Sequence, residues 1–467
     1  MKGRTPKISL DTCPQKNRAE LEGYVEGQTF MRITENNLTD NNQLCNGLLE
    51  FVLSPNNLNE AYLRVKRNKG KGGIDKMEVE SLKDYLVAHK DELVMSILEG
   101  KYRPNPVRRV EIPKESGKTR QLGIPTVVDR VIQQSIAQVL SLIYEKQFSD
   151  KSYGFRPRRS AHQALRTCQK NITEGYVWAV DMDLEKFFDT VNHSKLIEVL
   201  SRTIKDGRVI SLIHKYLNAG VVIRNKFEPT VVGVPQGGPL SPLLSNIMLN
   251  ELDKELENRG HRFVRYADDM VILCKSKRSS ERALRNLIPY LEGKLFLKVN
   301  REKTSVAHIS KIKFLGYSFY RYKGECQLRV HPKSVLKMRE ELNGLTSRSN
   351  GWGNERRKEA LKQYVIGWVN YFKLADMKGL LLKTDEWYRR RLRMVIWKQW
   401  KRIRTKLRNL IKLGVNKHKA WEFANTRKGY WRTANSPILK ITVTNERLKE
   451  AGYVFLSDYY GKVRVVN

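Results

Sequence analysis

Two adjacent carboxylates, Asp268 and Asp269, stand between the apolar-aromatic stretch holding Phe263, Val264 and Tyr266 and the run Met270-Val271-Ile272-Leu273. This pattern predicts two short strands around a tight turn, with both carboxylates at the tip of a buried hairpin. Ionised carboxylates placed there repel each other and lose hydration. They need a cation for compensation, or one must keep its proton. A pair of Mg²⁺ ions meets that need. A plainly solvated turn does so too, and the motif alone does not choose between them.

A third carboxylate comes from residues 177–193, where an apolar run enters Asp181-Met182-Asp183. In a strand, Asp181 and Asp183 share a face because side chains repeat every two residues. Asp183 precedes Asp268 by 85 residues. Between them lies Gln236-Gly237-Gly238-Pro239, whose glycines allow close approach of backbone to a ligand. Ser241 is placed to cap a helix over 243–256. Nucleotidyl transfer uses two divalent ions about 4 Å apart, clamping the attacking and leaving oxygens. Three carboxylates on neighbouring strands can hold them. Residues 110–125 predict a second hairpin, turning at Ser116-Gly117 and presenting Lys114, Lys118 and Arg120. Lys114 and Arg120 can neutralise a triphosphate.

The remaining chain has to position these groups. Its 467 residues hold 87 Lys and Arg against 49 Asp and Glu, a net charge of +38. A polyanion is the expected partner, nucleic acid before a membrane surface. From 351 to 467 there are 28 Lys and Arg against 9 Asp and Glu, so half of the excess lies in the last quarter. Seven of the eight tryptophans fall between Trp352 and Trp431. No run of 18 apolar residues predicts a membrane span. The five cysteines form no CxxC pair and the N-terminus has no signal-like apolar core, so a reducing cytoplasm is expected.

In order, residues 1–50 are polar and read as a loose extension. Helical periodicity follows over 57–69. Next comes KGKGGIDKM, either a plain loop or a phosphate-contacting one. Residues 129–144 predict an amphipathic helix. SYGFRPRRSAH at 152–162 offers arginines for template contacts or a bland surface loop. A helix is expected over 281–295, then strands in LKVNREKTSV and KIKFLGYSF, with Lys303 in the polar connection. Helices are expected over 355–374, 384–400 and 402–413, where Trp387, Trp397 and Trp400 read as core.

The blocks VEIPKESGKTRQLGIPTVVDRVIQQ, SYGFRPRRSAHQAL, DMDLEKFFDTVNH, GVPQGGPLSPLLSNIMLNELD, RYADD, NREKT and KFLGYSF occur in that order, followed by GWVNYFK and IWKQWKR. Together they resemble group II intron-encoded reverse transcriptases with maturase activity, over about residues 54–460. The resemblance implies an α+β, right-hand polymerase with fingers (51–170), a ferredoxin-like palm (171–330) and an α-helical thumb and maturase region (331–467). It implies that Asp183, Asp268 and Asp269 carry two Mg²⁺ ions, with Asp181 a neighbour. Lys114, Arg120, Gln236 and Gly237 would meet the dNTP. Phe187 or Phe188 would crowd the ribose 2′ position, with Phe188 preferred. Lys303 would lie near the leaving pyrophosphate as a general acid. The implied partners are the group II intron RNA, an RNA template with a DNA or RNA primer, and target DNA, in a bacterial cytoplasm close to RNA and nucleoid. Longer relatives carry a His/Cys-rich endonuclease region that this sequence does not show, so second-strand cleavage is not expected. Two rival readings are a splicing factor with incidental polymerase activity and an intron-independent reverse transcriptase in repair or defence.

Overall fold

The structure, a computed structural model, describes residues 47–113, 119–224 and 226–465. Most of the expected N-terminal extension, Lys114, Lys118 and the Ser116-Gly117 turn lie outside the described residues, as does the side chain of Arg120. In chain order the strands are β1 Val107–Pro113, β2 Thr119–Ile124, β3 Trp178–Met182, β4 Val221–Ile223, β5 Lys226–Glu228, β6 Arg262–Tyr266, β7 Asp269–Cys274, β8 Ser305–His308, β9 Tyr317–Tyr322 and β10 Glu325–Val330. They form three sheets, ordered β2-β1-β4-β5, β6-β7-β3-β8 and β10-β9. No strand follows β10 among the described residues. No described helix is long and apolar enough to cross a membrane.

The chain divides into two compact units. The first takes the described residues up to Phe148, Gly154–Ser160 and Asn192–Met248. Its central helix, Val127–Glu145, contains the helix expected over 129–144, but its polar side is buried too. Asp129, Arg130, Gln133, Ser135 and Gln138 are buried along with the apolar side chains. Burial is tolerable because these polar groups are paired. Tyr102 donates its hydroxyl to Asp129 at 2.6 Å, Gln138 donates to Asn57 at 2.6 Å, and Arg130 donates to the Lys71 and Pro125 carbonyls.

The same contacts decide the KGKGG loop. Arg108 donates to the Gly72 carbonyl at 2.8 Å, and a Cβ on Gly73 would come within 2.6 Å of the Thr126 Cα. Glycines and carbonyls here serve packing inside the unit, which favours the plain-loop reading. Arg156 of the Arg-rich stretch is 2% exposed and chelates Glu145, with Nε–oxygen distances of 3.2 and 3.1 Å. It is committed to the fold and withheld from a template.

The Gln236-Gly237 loop is clipped onto β2, where the Gly123 N–H donates to the Gln236 carbonyl at 2.6 Å. Gly237 has φ +118°, and a Cβ on it would strike the Gly123 carbonyl oxygen. Ser241 does not cap its helix. The helix Ser241–Asn258 starts on this residue, whose hydroxyl donates to the Pro235 carbonyl at 2.6 Å. Gly237→Ala should lose about 1–3 kcal/mol of stability through left-handed strain and backbone collision. Gly207→Ala, whose added Cβ meets nothing within 4 Å, is the reference in the same thermal melt.

The second unit takes Ser149–Tyr153, Ala161–Val191 and the described residues from Leu249 onward. Its four-stranded sheet is buried on both faces. The helix Lys277–Pro289 packs on β3, β7 and β8, and Ala179, Val264, Val271 and Leu273 join the core that covers the other face. This helix starts four residues before the expected 281, at a cap supplied by Ser276, and passes into a π turn at Tyr290–Lys294.

LKVNREKTSV is extended only at its end, as β8. Val299 makes a lone bridge to Leu184, and residues 300–304 turn around Asp183, with the Asn300 N–H on its carbonyl at 2.9 Å. KIKFLGYSF likewise becomes a strand only from Tyr317, after a turn in which Leu315 (φ +50°) and Gly316 (φ +80°) take left-handed backbone. The expected C-terminal helices are present as Asn354–Phe372, Lys378–Gln399 and Ile403–Lys412. Trp397 is 1% exposed, and Trp387 and Trp400 pack partly buried against the same core.

Candidate active site

Antiparallel register brings the distant carboxylates together. On β3 and β7, Asp181 pairs with Val271 and Met182 with Met270. One step further sets Asp183 opposite Asp269. The hairpin of β6 and β7 closes at Tyr266 and Asp269, leaving Ala267 and Asp268 as its two-residue turn. Ala267 has φ +57°, a left-handed conformation that a side chain adopts only under constraint.

The constraint is a buried ion pair. Arg265, on β6, donates Nε to Asp253 Oδ1 at 2.8 Å and Nη1 to the Ala267 carbonyl at 3.0 Å. Both charged side chains are fully buried. The guanidinium therefore ties the helix Ser241–Asn258 to the turn that presents Asp268. In the sequence, Arg262 and Arg265 are interleaved with Phe263, Val264 and Tyr266, and nothing there separates the two arginines. An arginine in a strand otherwise destined for the core was the available signal.

The electrostatics are those of crowded carboxylates. Burial pushes the Asp269 carboxyl up to about 6, helped by the negative charges of Asp268, Asp181 and Asp183 and opposed by Lys313. Burial likewise raises Asp181 to about 6, with Asp183 adding to it. Asp269 still reaches solvent, so crowding by protein and like charge acts on a group that water can enter. Asp181 is thus an electrostatic neighbour within the cluster.

Asp183 is held by residues from the β8 approach. Its Oδ2 accepts Asn300 Nδ2 at 2.9 Å and Lys303 Nζ at 3.2 Å, and its backbone N–H donates to the Thr304 hydroxyl at 3.2 Å. Nothing in the residue types of the NREKT block marks Asn300 and Thr304 as partners of Asp183. Among the described residues no three Asp, Glu, His or Cys side chains converge into a ready-made metal shell. The donor chemistry fits Mg²⁺, which takes hard carboxylate oxygens and keeps several waters. Asp183 is paired with Lys303 at 3.2 Å.

A raised carboxyl carries a definite sign. Asp269 favours folding below about pH 4, and this contribution is lost as pH rises through about 6. Asp269→Asn should therefore raise the melting temperature of the metal-free protein at pH 8. The gain is on the order of 1 kcal/mol, discounted for solvent access. At pH 4.5, where the carboxyl is protonated in the folded protein but still largely ionised in the unfolded one, the gain should fall to about a third, as read by calorimetry at both pH values.

Phe187 and Phe188 open the short helix Phe187–Thr190 and meet edge to face, centroids 5.3 Å apart. Both are buried, 3% and 7% exposed.

Comparison with known proteins agrees with this architecture. Residues 112–319 match the family described as "Reverse transcriptase (RNA-dependent DNA polymerase)", and residues 335–414 match "Group II intron, maturase-specific domain". "Protein YkfC" of Escherichia coli (strain K12) is 35% identical over 59% of this chain and 83% of its own length. "Group II intron-encoded protein LtrA" of Lactococcus lactis subsp. cremoris is 32% identical over 61% of this chain and 58% of its own. The chain belongs to the group II intron-encoded reverse transcriptases. Its enzyme class is RNA-directed DNA polymerase, and its fold class is the α+β right-hand polymerase with a helical C-terminal region. The "Putative COX1/OXI3 intron 2 protein" of Saccharomyces cerevisiae aligns at 28% identity over 74% of this chain and 51% of that protein. This reverse transcriptase thus spans little more than half of two of these relatives.

Proposed function

We propose that this reverse transcriptase copies an RNA template into DNA from a DNA or RNA primer, binds a group II intron RNA, assists its splicing and copies it into target DNA. The observation that carries the polymerase reading is the strand register that sets Asp183 opposite Asp269, beside Asp268. These three carboxylates would hold two Mg²⁺ ions, which when bound supply Lewis-acid stabilisation to the attacking and leaving oxygens.

The chain's own groups do the rest. Lys303 Nζ lies 3.2 Å from Asp183 Oδ2 and can deliver a proton to the departing pyrophosphate. Asn300 and Thr304 fix the orientation of Asp183. Lys114 and Arg120 supply cations to the dNTP phosphates, and Gln236 with Gly237 borders the nucleotide. Fingers, palm and thumb take residues 51–170, 171–330 and 331–467. The basic C-terminal helices supply the phosphate contacts for intron RNA.

Phe188 is assigned to exclude a ribose 2′-hydroxyl. Phe188→Ala should raise incorporation of NTPs relative to dNTPs by about 10–100-fold, the scale of one steric contact of 1–3 kcal/mol. Phe187→Ala should damage stability instead. Single-nucleotide incorporation with matched dNTP and NTP reads the ratio. An unchanged ratio in Phe188→Ala, with a shifted one in Phe187→Ala, moves the role to its neighbour.

A further inference from the structure

A cavity of about 670 Å³ opens in the C-terminal helices and shares no lining residue with the carboxylate cluster. A second, of about 360 Å³, adjoins it, and Trp431 lines both. This tryptophan is 38% exposed, so it is not a core residue. The Arg390 guanidinium lies 3.9 Å over the Trp431 ring and donates Nη2 to the Trp431 carbonyl at 3.0 Å. The same arrangement recurs around it, with Arg348 5.0 Å over Tyr430 and Arg391 5.3 Å over Trp387. Stacked guanidinium and indole planes form flat, electron-rich and cationic surfaces that suit a nucleobase.

The remaining lining sorts by chemistry. Arg389, Arg390 and Lys440 offer cations for a phosphate. Asn435 offers an amide with donors and an acceptor for a base edge, and Asn445, whose Oδ1 accepts from Arg393 Nη2 at 3.4 Å, offers its donors. Glu386 and Glu446 also line the cavity. They oppose a bare polyphosphate but accept from exocyclic amino groups. Arg393 is not free for a ligand, because its Nε is spent on the Val443 carbonyl at 2.9 Å, which holds the wall in place. The volume suits a compact ligand of nucleotide size and is too small for a duplex, whose bases in any case have both faces covered.

We propose that this cavity takes one unpaired nucleotide extruded from a structured RNA, its base stacked on Trp431 and its phosphate held by Arg389 and Lys440. The proposal rests on the reading that the C-terminal region binds RNA, and adds a defined receptor for a single bulged residue. Two RNA hairpins test it. One carries a single unpaired 2-aminopurine, and the other is identical but fully paired. The full-length protein should bind the bulged hairpin about tenfold more tightly, the scale of one stacked base, and quench the probe's emission. Trp431→Ala should bring the bulged hairpin down to the paired one. Trp431→Phe should keep most of the preference, and Asn435→Ala should reduce it, with thermal melts confirming that each variant is folded. Equal binding of the two hairpins by wild type, or a preference that survives Trp431→Ala, overturns the proposal while leaving RNA binding intact. Binding of neither hairpin at low salt removes the RNA reading and the pocket with it. Displacement of the hairpin by micromolar AMP would make this a mononucleotide site and overturn the assignment to RNA.

Discussion

Asp253→Ala should destabilise the second unit by about 3–5 kcal/mol, the effect of stranding a buried charge. Arg265 would keep its guanidinium fully buried beside the Ala267 carbonyl with its counter-ion gone. A chain with the usual margin of about 5–15 kcal/mol is brought near unfolding by such a loss. The reverse substitution, Arg265→Ala, strands Asp253 and should cost about as much. Replacing both together by Leu and Met of similar volume should recover most of the stability, because two apolar groups leave nothing unpaired. Activity should not recover with it. The Ala267 turn would lose its guanidinium tether, and Asp268 would no longer be held. Chemical denaturation and primer extension on the three variants separate the two roles. Equal recovery of both would reduce the pair to a packing element.

Asp268→Asn is expected to lower DNA synthesis by about a thousandfold, the several kcal/mol that metal-borne charge stabilisation supplies. Binding of RNA should stay within about twofold, since one exposed turn residue changes and the basic helices do not. Asparagine retains the shape and one acceptor but removes the charge that holds a hard cation. The separation matters for the rival reading of an RNA-binding splicing factor with incidental polymerase activity. Splicing that persists in Asp268→Asn shows that the two activities are distinct, and gel-shift with a splicing assay on the same preparation reads both.

The candidate site was legible because its signal is short-range and linear. An apolar strand ending at Asp183 and a hairpin ending at Asp268-Asp269 announce themselves by alternation. What sequence did not supply was their register, which needs the pairing of Met182 with Met270. Partnerships made across elements stayed hidden. Asp253 lies on a helix and Arg265 on a strand, and no periodicity links them. Asn300 lies in a polar turn, where nothing in the residue type reveals a hydrogen bond to Asp183. The helix Val127–Glu145 reads as amphipathic because its polar residues are real, yet their partners Tyr102, Asn57 and Lys71 come from elsewhere and allow full burial. Arg156 shows the converse, a cation that reads as a nucleic-acid contact until Glu145 is seen against it. Tryptophans divide the same way: Trp397 is core, whereas Trp431 lines open cavities.

The most direct test of the central claim is extension of a DNA primer annealed to an RNA template, in Mg²⁺ with dNTPs, by wild type and Asp268→Asn side by side. The account predicts extension by wild type alone, lost on chelation of the metal. Equal extension by both proteins, or none by either while both bind intron RNA tightly, would contradict it.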